Sequence, residues 1–226
     1  MKIVIPAYGR HELTRRVALY YDDLGYDAII VETPDEEGSL SGVEDKVVAQ
    51  HHDEDGNVLA GRKFNDALRY AAKFDDDVVL TGSDSLLSPA YLKHLDSYKE
   101  DYLEISGCHF FDPLAHQVTF IDKFLCGSGK YMSKRMMDNC DWSPYDDTRG
   151  HNVDAGPKSH IPSGSRRNSY NSTRTFPACL EIRNSDNMWS LGWVQSQPAA
   201  TILSVHETRT IFQHDYRQKV DWWTLR

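Results

Sequence analysis

The sequence contains no long apolar run and few cysteines. No window approaches 18 consecutive apolar residues, so no segment is expected to span a bilayer. The four cysteines are widely spaced and form no C-x-x-C pair, which argues against a disulfide framework or zinc site and favours free thiols in a reducing cytoplasm. The P-loop pattern and the G-x-S-x-G nucleophile motif are also missing, which argues against P-loop enzymes and serine hydrolases.

Negative charge is concentrated in the first half of the chain. Residues 1–113 carry 23 Asp and Glu against 11 Lys and Arg, a balance of −12, whereas residues 114–226 carry 11 against 14, a balance of +3. Because acidic surfaces repel polyanions at long range, a nucleic-acid partner would approach the second half.

The N-terminal third alternates between strand and helix patterns. A short apolar run at 2–6 predicts a buried strand rather than a signal peptide, and residues 11–24 place apolar side chains on one helical face. Gly25 ends that helix, and 27–33 and 77–82 predict two further strands. Strand, helix and strand in close succession indicate a right-handed crossover and a parallel sheet.

The strongest local candidate for chemistry is Asp84, which follows the strand at 77–82. Ligands of α/β sheets bind at the carboxyl ends of the strands, and a carboxylate there suits a hard divalent cation whose remaining ligands come from a diphosphate. An alternative assigns Asp84, Ser85 or Ser88 to capping the helix that begins near Pro89.

Four segments extend this interpretation when they are taken in order. They are IVIPAYGR at 3–10, IIVET at 29–33, GRKFNDAL at 61–68 and GSDSLLSP at 82–89. Together they resemble the nucleotide-sugar half of family 2-like glycosyltransferases with the GT-A fold, in a bacterial and phage-type subset with a Gly-Ser-Asp motif. The resemblance implies an α/β, Rossmann-like fold with a mostly parallel central sheet flanked by helices and a less regular C-terminal half.

The resemblance also implies donor-binding residues. The nucleotide-sugar set comprises Pro6, Ala7, Tyr8, Arg10, Glu32, Arg62, Lys63, Asn65, Ser83 and Asp84. Asp84 is the implied ligand of Mn²⁺ or Mg²⁺. The family's Asp-x-Asp motif is reduced here, because Gly82 stands where its first Asp is expected.

The acceptor side is implied by the second half of the chain. The segment 124–142 resembles a Gly-rich, acceptor-facing turn followed by a helix, and Asp154 matches the general base, with Asp146 and Asp147 as rivals. Trp142, Glu181, Arg183 and Trp189 are implied to shape the acceptor pocket, although packing is the alternative for both tryptophans. His206 is the first candidate for a second metal ligand, ahead of His214.

The expected protein is a single domain, 1–226, with a nucleotide-sugar half at 1–113 and an acceptor half at 114–226. Its expected activity is metal-dependent glycosyl transfer, with a UDP-sugar favoured, in the cytoplasm (the host's if phage-encoded). The acceptor is either a hydroxymethylated DNA base, met by Arg166, Arg167 and Arg174 on a long polar loop at 155–176, or a glycan or small molecule. A nucleotide-sugar-binding module without turnover and a sugar nucleotidyltransferase remain alternatives.

Overall fold

A computed structural model describes residues 1–7, 10–32, 40, 43, 47–50, 60–148, 153–183 and 191–216. The strands are β1 Lys2–Ala7, β2 Ala28–Glu32, β3 Val47–Gln50, β4 Val78–Leu80, β5 Ser85–Leu87, β6 Tyr102–Asp112, β7 Gln117–Leu125, β8 Lys130–Met132, β9 Arg167–Asn171, β10 Cys179–Ile182 and β11 Ala200–Ile202. The α-helices are α1 His11–Asp23, α2 Ala60–Ala71, α3 Pro89–Asp96, α4 Lys134–Asp138, α5 Leu191–Ser196 and α6 Val205–Thr210.

The chain forms two compact units. The first comprises Met1–Ser83, Lys99–Leu103 and Lys130–Asn168, and the second comprises Asp84–Tyr98, Glu104–Gly129 and Ser169–Arg226. Each unit therefore draws on both sides of residue 113. The expected division into donor and acceptor halves concerns binding, and it stays a prediction.

The first unit is built on a parallel sheet, as the crossover argument predicted. Its strands lie in the order β8-β4-β1-β2-β3, in which β4, β1, β2 and β3 are parallel and β8 is antiparallel to β4. Helix α1 packs on β1 and β2. Gly25 follows the helix with a φ of 82°, a left-handed conformation that costs glycine little, so the chain turns there into β2.

An apolar core holds the first unit together. It contains side chains of β1, β2, α2, β4, β8 and α4, among them Val4, Val31, Leu68 and Met136. Burial of one such side chain contributes about 1.5–3 kcal/mol, so this core supplies most of the driving force for the unit to fold.

The second unit is a mixed sheet with shorter helices. β7 pairs antiparallel with β6 and with β11, while β10 lies parallel to β6 and antiparallel to β5. The α/β fold class is confirmed. The expected unbroken polar loop at 155–176 is wrong, since a 3₁₀ helix at Val153–His160 and strand β9 fall largely within it. Among the described residues, no helix has the length and apolar character needed to cross a membrane.

Candidate functional site

Asp84 connects two strands and does not cap the following helix. It lies four residues after β4 and directly before β5, where its backbone carbonyl accepts a hydrogen bond from the Ile182 amide at 2.8 Å. The N-cap of α3 is Ser88, whose hydroxyl accepts from the Tyr91 amide at 3.2 Å. Of the three residues named for this cap, Ser88 therefore fills it and Asp84 does not, and the Asp84 side chain is half-buried.

Strand pairing brings two predicted acceptor residues to the same place. β10 runs antiparallel to β5 with Glu181 opposite Ser85, and Arg183 follows one residue after β10. The Arg183 guanidinium donates to Oε2 of Glu181, and the two residues are only 9% and 7% exposed. Asp84 is close enough to interact electrostatically with both of them. We call these three residues, Asp84, Glu181 and Arg183, the Asp84 cluster.

The cluster is electrostatically coupled. Burial raises the pKa of the Glu181 carboxyl well above its usual value, and the Asp84 carboxylate adds to that rise, although Arg183 opposes it. Burial works against the charged form of Arg183, but the carboxylates of Glu181 and Asp84 outweigh it and raise the guanidinium pKa. Among the described residues, the buried Nε of Arg183 has no hydrogen-bond partner. A buried guanidinium that retains an unused donor is suited to an anionic oxygen.

The Gly-rich turn beside the cluster belongs to the same unit. Ser128 lies in this turn, and its hydroxyl is 2.8 Å from that of Ser85, which also donates to Oδ1 of Asp84 at 3.2 Å. Gly129 has a φ of 77°, and a Cβ there would lie 2.4 Å from Cδ1 of Ile105. Ser128 could not be predicted from the sequence, because an isolated serine in a turn carries no signal of its own.

Three cysteines lie behind Glu181, which sequence spacing did not anticipate. The sulfurs of Cys108, Cys126 and Cys179 and a carboxylate oxygen of Glu181 all lie within 4.8 Å of one another. Burial raises the pKa of Cys108 and of Cys179, whereas hydrogen bonds from these two thiols lower that of Cys126. The three are free thiols, as expected, but they lie together rather than scattered.

In the first unit, Lys63 and Asn65 hold backbone segments in place. The Lys63 ammonium donates to the carbonyl of Ala7, at the end of β1, and the side chain is 3% exposed. Asn65 donates to the Tyr145 carbonyl at 2.8 Å and to Asp147 at 2.6 Å, and it accepts from the Tyr145 amide at 3.0 Å. Both side chains thus fix the segments around the predicted donor site.

The remaining donor candidates belong to the first unit. Arg10 precedes α1 with a left-handed backbone, and Arg62 is a half-buried residue of α2. Pro6 and Ala7 end β1, and Ser83, the last residue of the unit's first segment, is buried. Glu32 ends β2. Tyr8 lies outside the described residues.

The remaining acceptor-side candidates belong to other elements. Trp142 packs in the core of the first unit, 8% exposed, and its indole donates to Asp138 at 3.0 Å, which agrees with the packing alternative. Asp154 belongs to the 3₁₀ helix at Val153–His160. Trp189 lies outside the described part of the chain.

His206 belongs to the second unit and lines a cleft there. The cleft has a volume of about 190 Å³ and is also lined by Arg174, Glu207 and Asp215, and Asp84 is not among the lining residues. His214 is exposed. A metal-binding role for His206 stays a prediction.

Solved structures share this fold. No protein-family model and no curated protein matches the sequence. The chain is similar to the inositol-1-phosphate CTP transferase from T. maritima, with a TM-score of 0.55 at 9% identity over 95% of this chain and 97% of that one. It is also similar to S. aureus TarS 1–349, with a TM-score of 0.55 at 14% identity over 80% of this chain and 60% of that one. At these identities the likeness establishes the fold.

Proposed function

We propose that the protein is a metal-dependent glycosyltransferase, which moves a sugar from a nucleotide-sugar donor to an acceptor hydroxyl. The observation that carries the proposal is the Asp84 cluster. Asp84 and the Glu181–Arg183 pair come from two segments nearly a hundred residues apart, each residue was assigned to substrate or metal by the GT-A resemblance, and the three meet at one place. A half-exposed carboxylate beside a buried guanidinium offers one group to a cation and one to a phosphate oxygen.

The oxygen ligands that Asp84 and a substrate diphosphate would supply together fit a divalent cation. Mg²⁺ is commonly held by one or two carboxylates together with substrate phosphates, and Asp84 supplies one carboxylate. Glu181 has Arg183 at Oε2 and the Cys126 thiol at Oε1, and Gly82 replaces the first Asp of the Asp-x-Asp motif, so the remaining ligands of this cation fall to the diphosphate and water. When bound, Mn²⁺ or Mg²⁺ would neutralise charge on the departing nucleoside diphosphate.

The resemblance assigns the nucleotide end of the donor to residues of the half 1–113. Arg10, Glu32 and Arg62 carry polar groups suited to base, ribose and phosphate. We assign Lys63 and Asn65 to shaping this region, because their polar atoms bond to Ala7 and to Tyr145. Arg183, with its unused Nε–H, is our candidate for a phosphate oxygen.

We assign the general base to Asp154. Transfer with inversion requires a carboxylate within hydrogen-bond reach of the attacking hydroxyl. Its rivals have other partners: Asp147 accepts from Asn65 and lies 3.6 Å from Arg69, and Asp146 accepts from Thr148 at 2.7 Å. The resemblance, which matches Asp154 more closely in position than Asp146 or Asp147, is what favours Asp154.

We favour a saccharide or other small acceptor over a hydroxymethylated DNA base. Arg174, one of the three arginines assigned to DNA phosphates, forms an ion pair with Glu207 at 2.6 Å. Arg166 and Arg167 are exposed, but the whole chain carries a net charge of −9. DNA-binding surfaces are usually far more basic.

Reaction products test the proposal. The protein is incubated with Mn²⁺ and a panel of UDP-, GDP- and TDP-sugars, with and without acceptor mixtures, and nucleoside diphosphate release is measured. In parallel it receives nucleoside triphosphates, including CTP, with sugar or inositol phosphates, and pyrophosphate is measured. Release of nucleoside diphosphate alone supports glycosyl transfer. Release of pyrophosphate indicates a nucleotidyltransferase instead, and binding without either product indicates a binding module.

A further inference from the structure

A group of four side chains of types that bind metals lies buried in the second unit and shares Glu181 with the Asp84 cluster. Cys108 belongs to β6, Cys126 directly follows β7, and Cys179 and Glu181 belong to β10. Their exposed fractions are 0%, 2%, 0% and 7% respectively. Three strands thus deliver four ligand atoms to one point that solvent barely reaches.

The backbone explains how such distant cysteines meet. β7 is antiparallel to β6, and the register shifts between Ser106 and Cys108, where Gly107 has a φ of 89°. A bulge of this kind changes the direction of the neighbouring side chain. A Cβ at Gly107 would lie 2.5 Å from the Ser172 carbonyl oxygen, so the position is closed to larger residues. β10 lies parallel to β6 on its other side and adds the remaining two ligands.

The distances match a tetrahedral thiolate site. Zn–S bonds of about 2.3 Å place the sulfurs of a tetrahedron about 3.8 Å apart. Here the Cys108 and Cys126 sulfurs are 3.3 Å apart, the Cys126 sulfur is 3.3 Å from Oε1 of Glu181, and all four ligand atoms lie within 4.8 Å of one another. Only small adjustments separate this arrangement from a closed site.

The charges and hydrogen bonds also fit. Glu181 turns Oε1 toward the Cys126 thiol, and Arg183 holds its Oε2. A ligating carboxylate is typically oriented in this way by a second group that does not touch the metal. Three thiolates and one carboxylate carry four negative charges. A divalent ion and the Arg183 guanidinium together neutralise three of them, so one negative charge remains. Burial of that remaining charge is comparable to that in ordinary four-cysteine zinc sites.

We propose that Cys108, Cys126, Cys179 and Glu181 bind one structural Zn²⁺ ion. The site is separate from the substrate-bound cation assigned to Asp84: its ligands are soft, and the four of them close the coordination shell. The ion ties β10 to β6 and β7 and thereby fixes Arg183, one residue beyond β10. It has no chemical step of its own.

Metal content and cobalt spectroscopy test this site on the intact protein. The chain is purified without chelators and analysed by elemental mass spectrometry, with one zinc per chain expected. Protein stripped of metal under reducing conditions is then titrated with Co²⁺ alone. A tetrahedral thiolate site gives intense sulfur-to-cobalt charge transfer in the near-ultraviolet and visible d–d bands, saturating at one equivalent.

Variants assign the ligands. Cys126→Ser should lose the charge-transfer bands or bind Co²⁺ far more weakly. Cys140→Ser is the matched control, because Cys140 is half-buried in the first unit, and it should behave as wild type. Glu181→Gln preserves shape, and it should weaken Co²⁺ affinity at least about tenfold while the sulfur bands persist. If Cys126→Ser does not fold, the wild-type titration and Glu181→Gln still decide the outcome.

Three results would overturn the proposal. The first is wild-type protein that takes up neither Zn²⁺ nor Co²⁺ with sulfur bands after full reduction. The second is retention of the wild-type cobalt spectrum and affinity by Cys126→Ser. The third is a Cys108–Cys126 disulfide, found by non-reducing peptide mapping, in protein that remains metal-free after reduction and reconstitution.

Discussion

The two units bury charge in different ways. In the first unit, buried charged groups lie apart and each has its own partners: Lys63 bonds to a carbonyl, and Asp101 bonds to Ser133 and Arg135. In the second unit, Glu181, Arg183 and three thiols converge on one volume. These buried charges of the first unit are thus satisfied one at a time, whereas the second unit keeps several mutually dependent ionisable groups out of water. Such groups are costly and typically mark functional sites.

The largest effect is expected on turnover, from substitution of Asp154, the proposed catalytic base, which belongs to the first unit. Asp154→Asn should lower turnover by roughly 10²–10⁴-fold with donor binding preserved, because a positioned general base contributes about that much. Asp147→Asn is the control and should retain most of the rate, since Asp147 is bound to Asn65. Steady-state kinetics and calorimetric donor titration check this. A near wild-type rate for Asp154→Asn would remove the residue from the mechanism.

Breaking the buried ion pair of the second unit should lower the free energy of unfolding more than breaking an exposed ion pair of the first unit. Arg183→Met leaves the Glu181 carboxyl buried without its cation and should cost about 3–5 kcal/mol. Arg69→Met breaks the Arg69–Asp66 pair of the first unit, whose side chains are 43% and 30% exposed, and should cost at most about 1 kcal/mol. Urea unfolding of both variants measures this difference. Equal costs would mean that burial does not distinguish the two pairs.

Acid should destabilise the protein through His109, another buried ionisable residue of the second unit. Burial lowers the pKa of His109 to about 4. Because the unfolded chain then binds this proton more readily, the stabilisation is present above the ordinary pKa of 6.5 and is lost as the pH falls toward 4. The loss should reach about 3 kcal/mol.

Unfolding curves at a series of pH values check the acid prediction. His109→Gln should show a shallower decline between pH 6.5 and 4 than wild type, so the difference between the two proteins isolates this residue. His160→Gln changes an exposed histidine of the first unit and should leave the profile unchanged. Parallel profiles for wild type and His109→Gln would contradict the depressed pKa.

The smallest difference in stability between the two units is expected from the removal of a helix N-cap in each. Ser88→Ala removes the N-cap of α3 and should destabilise by about 1 kcal/mol. Ser133→Ala removes the cap of α4 and also a 2.6 Å hydrogen bond to the buried Asp101, so a total of about 2 kcal/mol is expected. Thermal unfolding monitored by circular dichroism compares them. A larger loss for Ser88→Ala would reverse the assigned importance of Asp101.

Local sequence patterns predicted the parallel sheet but not the convergence of three cysteines in the second unit. The periodicity at 11–24 and the apolar runs at 2–6, 27–33 and 77–82 specify β1, α1, β2 and β4, because burial on one face leaves a regular spacing. The meeting of Cys108, Cys126 and Cys179 depends on the bulge at Gly107 and on which strand lies beside β6, and neither has a local signature.

Part of the candidate site could be anticipated in the same way. Asp84 was found because it follows an apolar strand, and Glu181 and Arg183 because their segment resembles a known family. Their proximity follows from β10 pairing with β5, a contact between segments nearly a hundred residues apart in the chain. Packing was the stated alternative for Trp142, but the burial of Lys63 was not evident, because a side chain's partners lie on other elements.

Calorimetry of donor binding tests the central claim most directly. UDP-sugars, and any other donor that the product screen identifies, are titrated into wild type, Asp84→Asn and Asp122→Asn, each with and without Mn²⁺. Asp122 is an exposed carboxylate of the same unit and serves as the matched control. We predict that Mn²⁺ strengthens donor binding to wild type and to Asp122→Asn, and that Asp84→Asn loses this enhancement while its thermal unfolding is unchanged. Equal Mn²⁺-dependent binding by Asp84→Asn would contradict the assignment of Asp84 as the metal ligand.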